Sequence, residues 1–393
     1  MKGRMQKTST QRDDYPQRNR TESDNFMGVQ TFMGIAENNL VEVHFENEDL
    51  LERIFSPSNM NRAYKQVVGN KGKGGVDKMS TEDLLPYLRL YKDDLIKSLM
   101  DGIYRPNPVR RVEIPKDNGK KRQLGIPTLV DRLVQQSISQ VLTPIYELQF
   151  DDNNFGFRPR RGSHQALHRA IEHLNKGNAY CVDLDLEQFF DRVNHSKLID
   201  ILSRTIKDGR VVSLIHKYLN AGVIVEGEYE SRVEGVPQGG PLSPLLSNIM
   251  LNELDKELVR RGHSYVRYAD DCLIFCKSER SAQRIKSGIT RFIETSLHLK
   301  VNQDKTKVGR ANGMKYLGYS FYCSRGEWRL NIPPTTAAKM KSRLRLLTSR
   351  SNGVGYSRRK EELRAFIQGW VGYYCLAVIG NFESSRIGKV KST

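Results

Sequence analysis

The sequence predicts an α+β fold of helices and short antiparallel strands. Three observations carry this. Apolar residues recur at helical spacing over long stretches, for example 129–146, 244–260 and 282–297. Between these stretches lie apolar runs of strand length bounded by turn residues. In the most informative pair of runs, Tyr268-Ala269-Asp270-Asp271 interrupts two apolar segments and reads as a tight hairpin with adjacent carboxylates at its turn. The chain has 393 residues, enough for about two or three domains with a sizeable core.

In chain order, residues 1–45 are polar, charged and poor in aliphatics, and are expected to be a disordered extension. Helical spacing begins near 47–51, and Pro57-Ser58-Asn59 punctuates it before a second helix at 61–68. Gly69-Asn70-Lys71-Gly72-Lys73-Gly74-Gly75 reads as a flexible basic loop. It lacks the GK[ST] ending of a nucleotide-binding P-loop, which leaves backbone contact to phosphates or a plain linker. A helix is expected at 81–101, then a hairpin of strands at 110–115 and 122–126. Helices at 129–146 and 166–174 precede a strand at 180–186. Helices at 189–205 and 211–221, a hairpin at 223–236 and a helix at 244–260 lead to the acidic hairpin. A helix at 282–297 and strands near 301, at 316–321 and at 328–332 follow. Basic helices at 336–347 and 358–374 complete the reading. There is no internal repeat.

The formal net charge is +18. The basic residues are spread through every segment rather than gathered in one tail, with clusters at Arg110-Arg111, Lys120-Lys121-Arg122, Arg158-Pro159-Arg160-Arg161 and Arg358-Arg359-Lys360. A distributed excess fits a channel that follows a phosphate backbone, so a nucleic-acid partner is expected. No apolar run approaches the roughly 20 residues of a membrane span, and the N-terminus has no apolar signal core. The five cysteines form no disulfide framework, and the expected location is the cytoplasm. Cys272 and Cys276 share one face of the strand after the acidic turn and read as core. His164 and His168 lie four apart with no third ligand, and read as structural or RNA-facing.

Adjacent carboxylates repel and resist desolvation, so the Asp270–Asp271 turn is either solvated or neutralised by a cation. A second acidic run, Asp183-Leu184-Asp185, alternates with apolar residues, which puts both carboxylates on one strand face. Strand pairing that brought this face beside the turn would assemble hard oxygen ligands suited to Mg²⁺. Two such ions about 3.5–4 Å apart serve displacement at phosphorus, one activating a hydroxyl and one taking up charge on the leaving group.

At this point the order of motifs resembles a known family. Asp185 followed by Phe190-Asp191, then Pro237-Gln238-Gly239-Gly240-Pro241-Leu242-Ser243-Pro244, then Tyr268-Ala269-Asp270-Asp271 is the order of a reverse transcriptase. Gly156-Phe157-Arg158-Pro159, Val193-Asn194-His195, Leu299-Lys300-Val301-Asn302 and Tyr316-Leu317-Gly318-Tyr319 are similar to blocks of bacterial group II intron-encoded reverse transcriptase/maturases of the compact class. The resemblance covers about 47–380 and implies a right-hand polymerase: fingers at 46–178, palm at 179–332 with an antiparallel sheet and helices, and a partial helical thumb or maturase-specific domain at 333–393.

The resemblance implies that Asp185, Asp270 and Asp271 are the catalytic, metal-binding carboxylates. Asp183 is an ambiguous neighbour; the role goes to Asp185 because an aromatic gate follows five positions later. That gate is Phe190, crowding a ribose 2′-hydroxyl, with Phe189 in the core. Lys116 and Arg122 are matched to the clamp on the triphosphate, and Gln238 and Gly239 to the loop beside the incoming nucleotide. Lys305 is matched to a lysine that protonates pyrophosphate, or is a surface charge. Arg158, Arg343, Arg345, Arg358 and Arg359 are matched to RNA contacts, and Phe366, Trp370, Tyr373 and Tyr374 to the core of the thumb helices. The implied partners are intron RNA, an RNA template–DNA primer duplex, dNTPs and a DNA target site, with no membrane. The sequence ends at Thr393 where relatives continue, so a shortened thumb and no HNH endonuclease are expected. The competing readings are a splicing cofactor that binds RNA without chemistry of its own, and a truncated or domesticated reverse transcriptase.

Overall fold

The computed structural model describes residues 49–115, 121–349, 353 and 355–377. The predicted extension at 1–45 and Lys116 lie outside the described residues, as does the side chain of Arg122. Among the described residues, Pro334–Cys375 form one compact unit and the rest another.

The larger unit opens with three helices, α1 (Leu50–Ile54), α2 (Pro57–Gly69) and α3 (Leu84–Met100). Pro57 sits in the first turn of α2, where its missing N–H costs nothing. The strands β1 (Val109–Pro115) and β2 (Lys121–Ile126) pair antiparallel, Arg110 opposite Ile126. The long α4 (Leu129–Glu147) starts at Thr128, whose hydroxyl accepts the Asp131 N–H at 3.1 Å. It is buried on nearly every face, so its polar residues need internal partners. Asn59 of α2 supplies some: its amide donates to the Ser137 carbonyl at 3.0 Å and its side-chain oxygen accepts from Gln140 at 2.9 Å.

Then come α5 (Ser163–Asn175), β3 (Tyr180–Leu184), α6 (His195–Thr205) and α7 (Gly209–Leu219). The helix expected at 189–205 is divided. Gln188 is left-handed (φ 49°), Phe189–Asp191 forms one 3-10 turn, and α6 restarts at the Asn194 cap. The expected hairpin at 223–236 is confined to β4 (Val223–Val225) and β5 (Glu228–Glu230). It joins the first sheet through a parallel pairing, Val109 with Val223, giving the order β2-β1-β4-β5.

The remaining elements of this unit are α8 (Ser243–Arg260), β6 (Ser264–Tyr268), β7 (Asp271–Cys276), α9 (Glu279–Ser296), β8 (Lys307–Arg310), β9 (Lys315–Tyr316), β10 (Tyr319–Ser324) and β11 (Glu327–Asn331). The strand expected at 316–321 is broken by a turn at Leu317 and Gly318, both with positive φ, so β9 and β10 pair antiparallel instead of running on. The central sheet has the order β6-β7-β3-β8, every pair antiparallel. Helix α9 buries Ala282, Ile285, Ile289 and Ile293, one stripe at helical spacing that packs against β3. One contiguous core runs from Leu50 to Val301, so the predicted fingers and palm share it rather than having a core each. Cys181, Cys272 and Cys276 are buried, and all five cysteines are free thiols.

The smaller unit holds α10 (Pro334–Thr348) and α11 (Tyr356–Tyr373). In α11 no residue is buried. Phe366, Trp370, Tyr373 and Tyr374, expected as bundle core, are half-buried instead. Two helices leave too little surface to enclose an aromatic ring, and Trp370 and Tyr374 cover each other at 4.8 Å.

Candidate active site at the acidic hairpin

The register of the central sheet decides which carboxylates meet. Leu184 pairs with Cys272 and Asp183 with Leu273, so the next step of the ladder faces Asp185 toward Asp271. Directly opposed residues in an antiparallel pair share a face. Asp183, Asp185 and Asp271 line one cleft of about 380 Å³ together with Asp304, Lys305, Lys307 and Lys315. Lys305 Nζ lies 3.5 Å from Asp185 Oδ1. The Asp185 backbone is anchored on both sides: its N–H donates to Thr306 Oγ1 at 3.2 Å and its carbonyl accepts the Asn302 N–H at 2.9 Å.

Asp271 is open to this cleft but walled by protein. Burial, then the neighbouring charges of Asp270, Asp183 and Asp185, push its carboxyl up to about 7, against the opposing pull of Lys305. Burial and Asp185 likewise push Asp183 up to about 6, with Lys307 opposing. Asp183 faces Lys307 directly across the sheet. Asp270 sits half-buried in the turn and does not line the cleft.

These carboxylates supply the hard oxygens that a divalent cation takes, and the mutual charge burden on Asp271 is what such an ion relieves. Among the described residues, no three His, Cys, Asp or Glu are gathered closely enough to enclose an ion by themselves. The donor set therefore fits an ion held by a carboxylate pair plus substrate oxygens, the usual arrangement for Mg²⁺.

The turn itself is strained. Tyr268 pairs with Asp271 across a two-residue loop, and Ala269 in that loop has φ 56°. Non-glycine residues in this region persist only where the surroundings impose it. Gly156 packs beneath the turn, and α8 supports it from within the core. Arg267 and Asp255, both with fully buried side chains, form an ion pair there.

The other predicted residues are distributed as follows. Phe190 is buried (9 % exposed), edge-on to Phe189 at 5.2 Å, and is not a cleft residue. The loop carrying Gln238 and Gly239 packs on β2: the Gln238 carbonyl accepts the Gly125 N–H at 2.6 Å, and Gly239 has φ 114°. Arg158 is a correction. It is not at the surface but 7 % exposed, paired with Glu147, and donates to the Asp151 and Asn154 carbonyls at 2.6 and 2.9 Å. Nε and Nη1 of this enclosed guanidinium are committed to protein acceptors. Arg343, Arg345 and Arg358 are exposed and Arg359 is half-buried. The 69–75 segment is no loose linker. A Cβ on Gly75 would lie 2.6 Å from the Thr128 nitrogen, and Arg110 donates to the Gly74 carbonyl at 2.8 Å.

Sequence reasoning missed Lys307 and Lys315 in the cleft, and the Arg267–Asp255 pair behind it. The charge alternation Asp304-Lys305-Thr306-Lys307 was a usable signal, but only the strand register turns Lys307 toward Asp183.

An antiparallel sheet carrying paired acids on a hairpin opposite a third acidic strand defines a polymerase-type palm. The sequence comparisons agree. The family described as reverse transcriptase (RNA-dependent DNA polymerase) matches residues 114–321, and the group II intron maturase-specific domain matches 337–385. The chain is 35 % identical to protein YkfC of Escherichia coli over 344 residues, covering 76 % of this chain and 90 % of that protein. It is 34 % identical to the group II intron-encoded protein LtrA of Lactococcus lactis subsp. cremoris over 326 residues, covering 65 % of this chain and 54 % of LtrA. Among solved structures, telomerase from Candida albicans is similar with a TM-score of 0.46 and 14 % identity, over 74 % of this chain and 60 % of that one. The chain belongs to the reverse transcriptase family, the RNA-directed DNA polymerases, in its group II intron-encoded branch.

Proposed function

We propose that this protein adds deoxynucleotides to a primer 3′-hydroxyl on an RNA template, at the cleft between Asp185 and Asp271. The observation that carries the proposal is the convergence of these two carboxylates on one cleft from different strands. In the reaction, the primer oxygen bonds to the α-phosphorus, the bond to the β-phosphate oxygen breaks, and pyrophosphate leaves. Family membership implies a divalent cation, which we take to be Mg²⁺. Asp185 and Asp271, with Asp270 in the same turn, would hold such an ion, which would activate the hydroxyl and neutralise charge at the leaving group.

Lys305 is the donor that protonates the departing pyrophosphate, being a mobile ammonium at the cleft edge. Lys116, which lies outside the described residues, and Arg122 of β2 clamp the triphosphate. Gln238 and Gly239 border the nucleotide, and Phe190 acts against a 2′-hydroxyl. Loss of primer extension in Asp270→Ala/Asp271→Ala, with the fold retained, is the expected result; normal extension by that variant ends the catalytic assignment.

A second role rests on a separate observation. The exposed arginines Arg343, Arg345 and Arg358 of α10 and α11 lie within the segment that matches the maturase-specific domain. They bind intron RNA through its backbone and shape, the mode suited to double-helical RNA. Splicing assistance and mobility into a DNA target site extend this role. Splicing that survives loss of the acidic turn but falls on charge reversal at Arg343 and Arg345 separates the two activities. Among the described residues no helix is long and apolar enough to cross a membrane. We place the protein in the cytoplasm, where its thiols stay reduced.

A further inference from the structure

We infer that Arg267, held by Asp255, is a positioning residue that fixes the Asp270–Asp271 turn through the carbonyl of Ala269. The inference rests on the reading of that turn as the polymerase site.

Arg267 is 0 % exposed, although it is a long cationic residue in a strand. A buried ion pair is a poor source of stability, because desolvation offsets its attraction, and an apolar pair of similar volume serves packing as well or better. Its presence here needs another reason. Asp255 of α8 receives Arg267 Nε at 2.8 Å and also Nη2, which aligns the guanidinium plane. The remaining nitrogen, Nη1, is thereby aimed at the turn. It donates to the Ala269 carbonyl at 2.9 Å and to Asn248 Oδ1 at 3.1 Å.

Ala269 is the strained member of the turn, with φ 56°. A left-handed alanine relaxes unless its peptide groups are held. Arg267 holds the carbonyl side. The nitrogen side is hemmed in by Gly156, and the Asn248 amide donates to the Gly156 carbonyl at 2.8 Å, tying both clamps to α8. The backbone of Arg267 is fixed as well: its N–H donates to the Asn153 carbonyl at 2.8 Å and its carbonyl accepts the Phe155 N–H at 2.9 Å. Asp271 follows Ala269 by two residues, so relaxation of Ala269 swings both turn carboxylates relative to Asp185. Arg267 touches no substrate and acts only through Ala269.

The test uses the full chain with the double variant Arg267→Met/Asp255→Leu, which keeps apolar volume but deletes the donor to Ala269. In metal-free protein, amide exchange of the peptide spanning 268–272 is expected to speed up about tenfold while the rest of the central sheet keeps its protection. Primer extension is expected to fall about 10–100-fold, with a several-fold higher Mg²⁺ concentration at half-maximal rate. Adding Ala269→Gly, which adopts positive φ without a Cβ penalty, is expected to bring extension back to within about threefold of wild type. Arg267→Lys, which keeps the buried charge without the fork, serves if the double variant fails to fold, and is expected to show the same exchange and metal shifts. Unchanged exchange at 268–272, or a loss of extension that Ala269→Gly leaves untouched, overturns the inference. The exchange measurement needs no metal, template or nucleotide. A wild-type protein that never extends a primer therefore defeats the polymerase reading while leaving the effect of Arg267 on the turn separately decided.

Discussion

Gly156 lies so close to Ala269 that a Cβ on Gly156 would sit 2.1 Å from the Ala269 nitrogen. No real pair of atoms tolerates that, so the acidic turn is shaped by a glycine more than a hundred residues earlier in the chain. Gly156→Ala is expected to cost about 1–3 kcal/mol by overpacking and, by displacing the turn, to slow extension about 100-fold. Thermal melts and single-turnover extension check the two effects separately. A variant with unchanged extension contradicts the dependence of the turn on Gly156.

Asp271 sets a pH dependence with a definite sign. Its carboxyl is raised from an ordinary 3.8 to about 7, so the folded, cation-free protein binds this proton more tightly than the unfolded chain does. Stability is then lost as pH rises from about 4 through about 7, and Asp183, raised to about 6, adds in the same direction. Asp271→Asn removes the penalty. Since the side chain is open to solvent, screening reduces the effect, and a gain of about 1–3 °C in melting temperature above pH 7 is expected, closing toward pH 4. Excess Mg²⁺ should stabilise the wild type and not the variant, by mass action. Melts from pH 4 to 8, with and without Mg²⁺, decide it.

Lys305 separates chemistry from stability. Its ammonium is 3.5 Å from Asp185 and its side chain is 64 % exposed, so the ion pair adds little to the fold. Lys305→Ala should leave the melting temperature almost unchanged while extension slows about 100–10,000-fold, the usual contribution of a general acid. A variant of wild-type speed would reduce Lys305 to a surface charge.

The arginines divide into two classes with opposite signatures. Removing Arg158 leaves Glu147 with an uncompensated charge at a largely buried site, so Arg158→Ala should cost about 3 kcal/mol or more. RNA affinity of the protein that remains folded should not change. Arg343→Glu/Arg345→Glu, at exposed positions, should leave the melting temperature alone, weaken RNA binding and flatten its salt dependence. Binding isotherms at several salt concentrations, beside thermal melts, distinguish the classes.

Much of the fold was legible because local rules coincide with the tertiary outcome. Helices α4, α8 and α9 stand within a few residues of their apolar spacing, and the acidic hairpin turns where the paired acids interrupt two apolar runs. Failures fall where backbone conformation depends on distant contacts. The helix expected through 189–205 is broken by left-handed Gln188 and a 3-10 turn. Gly235 packs on the Phe190 and Asp191 carbonyls there, a contact that helical spacing does not report. The strand expected through 316–321 is split by two residues of positive φ. Arg158 looked like part of a basic surface because a list of charges carries no information about burial; Glu147 and two carbonyls enclose it.

The amino-acid order alone determined the family, the α+β class and which carboxylates are candidates, because motif order and the alternation of apolar and acidic residues are properties of the chain itself. Tertiary structure alone decided that Asp185 and Asp271 share a cleft whose lining does not include Asp270, and that Arg267 stands behind the turn. Those outcomes depend on strand register and on packing between segments about a hundred residues apart. A one-residue slip of β3 against β7 would put Asp185 and Asp271 on opposite faces of the sheet.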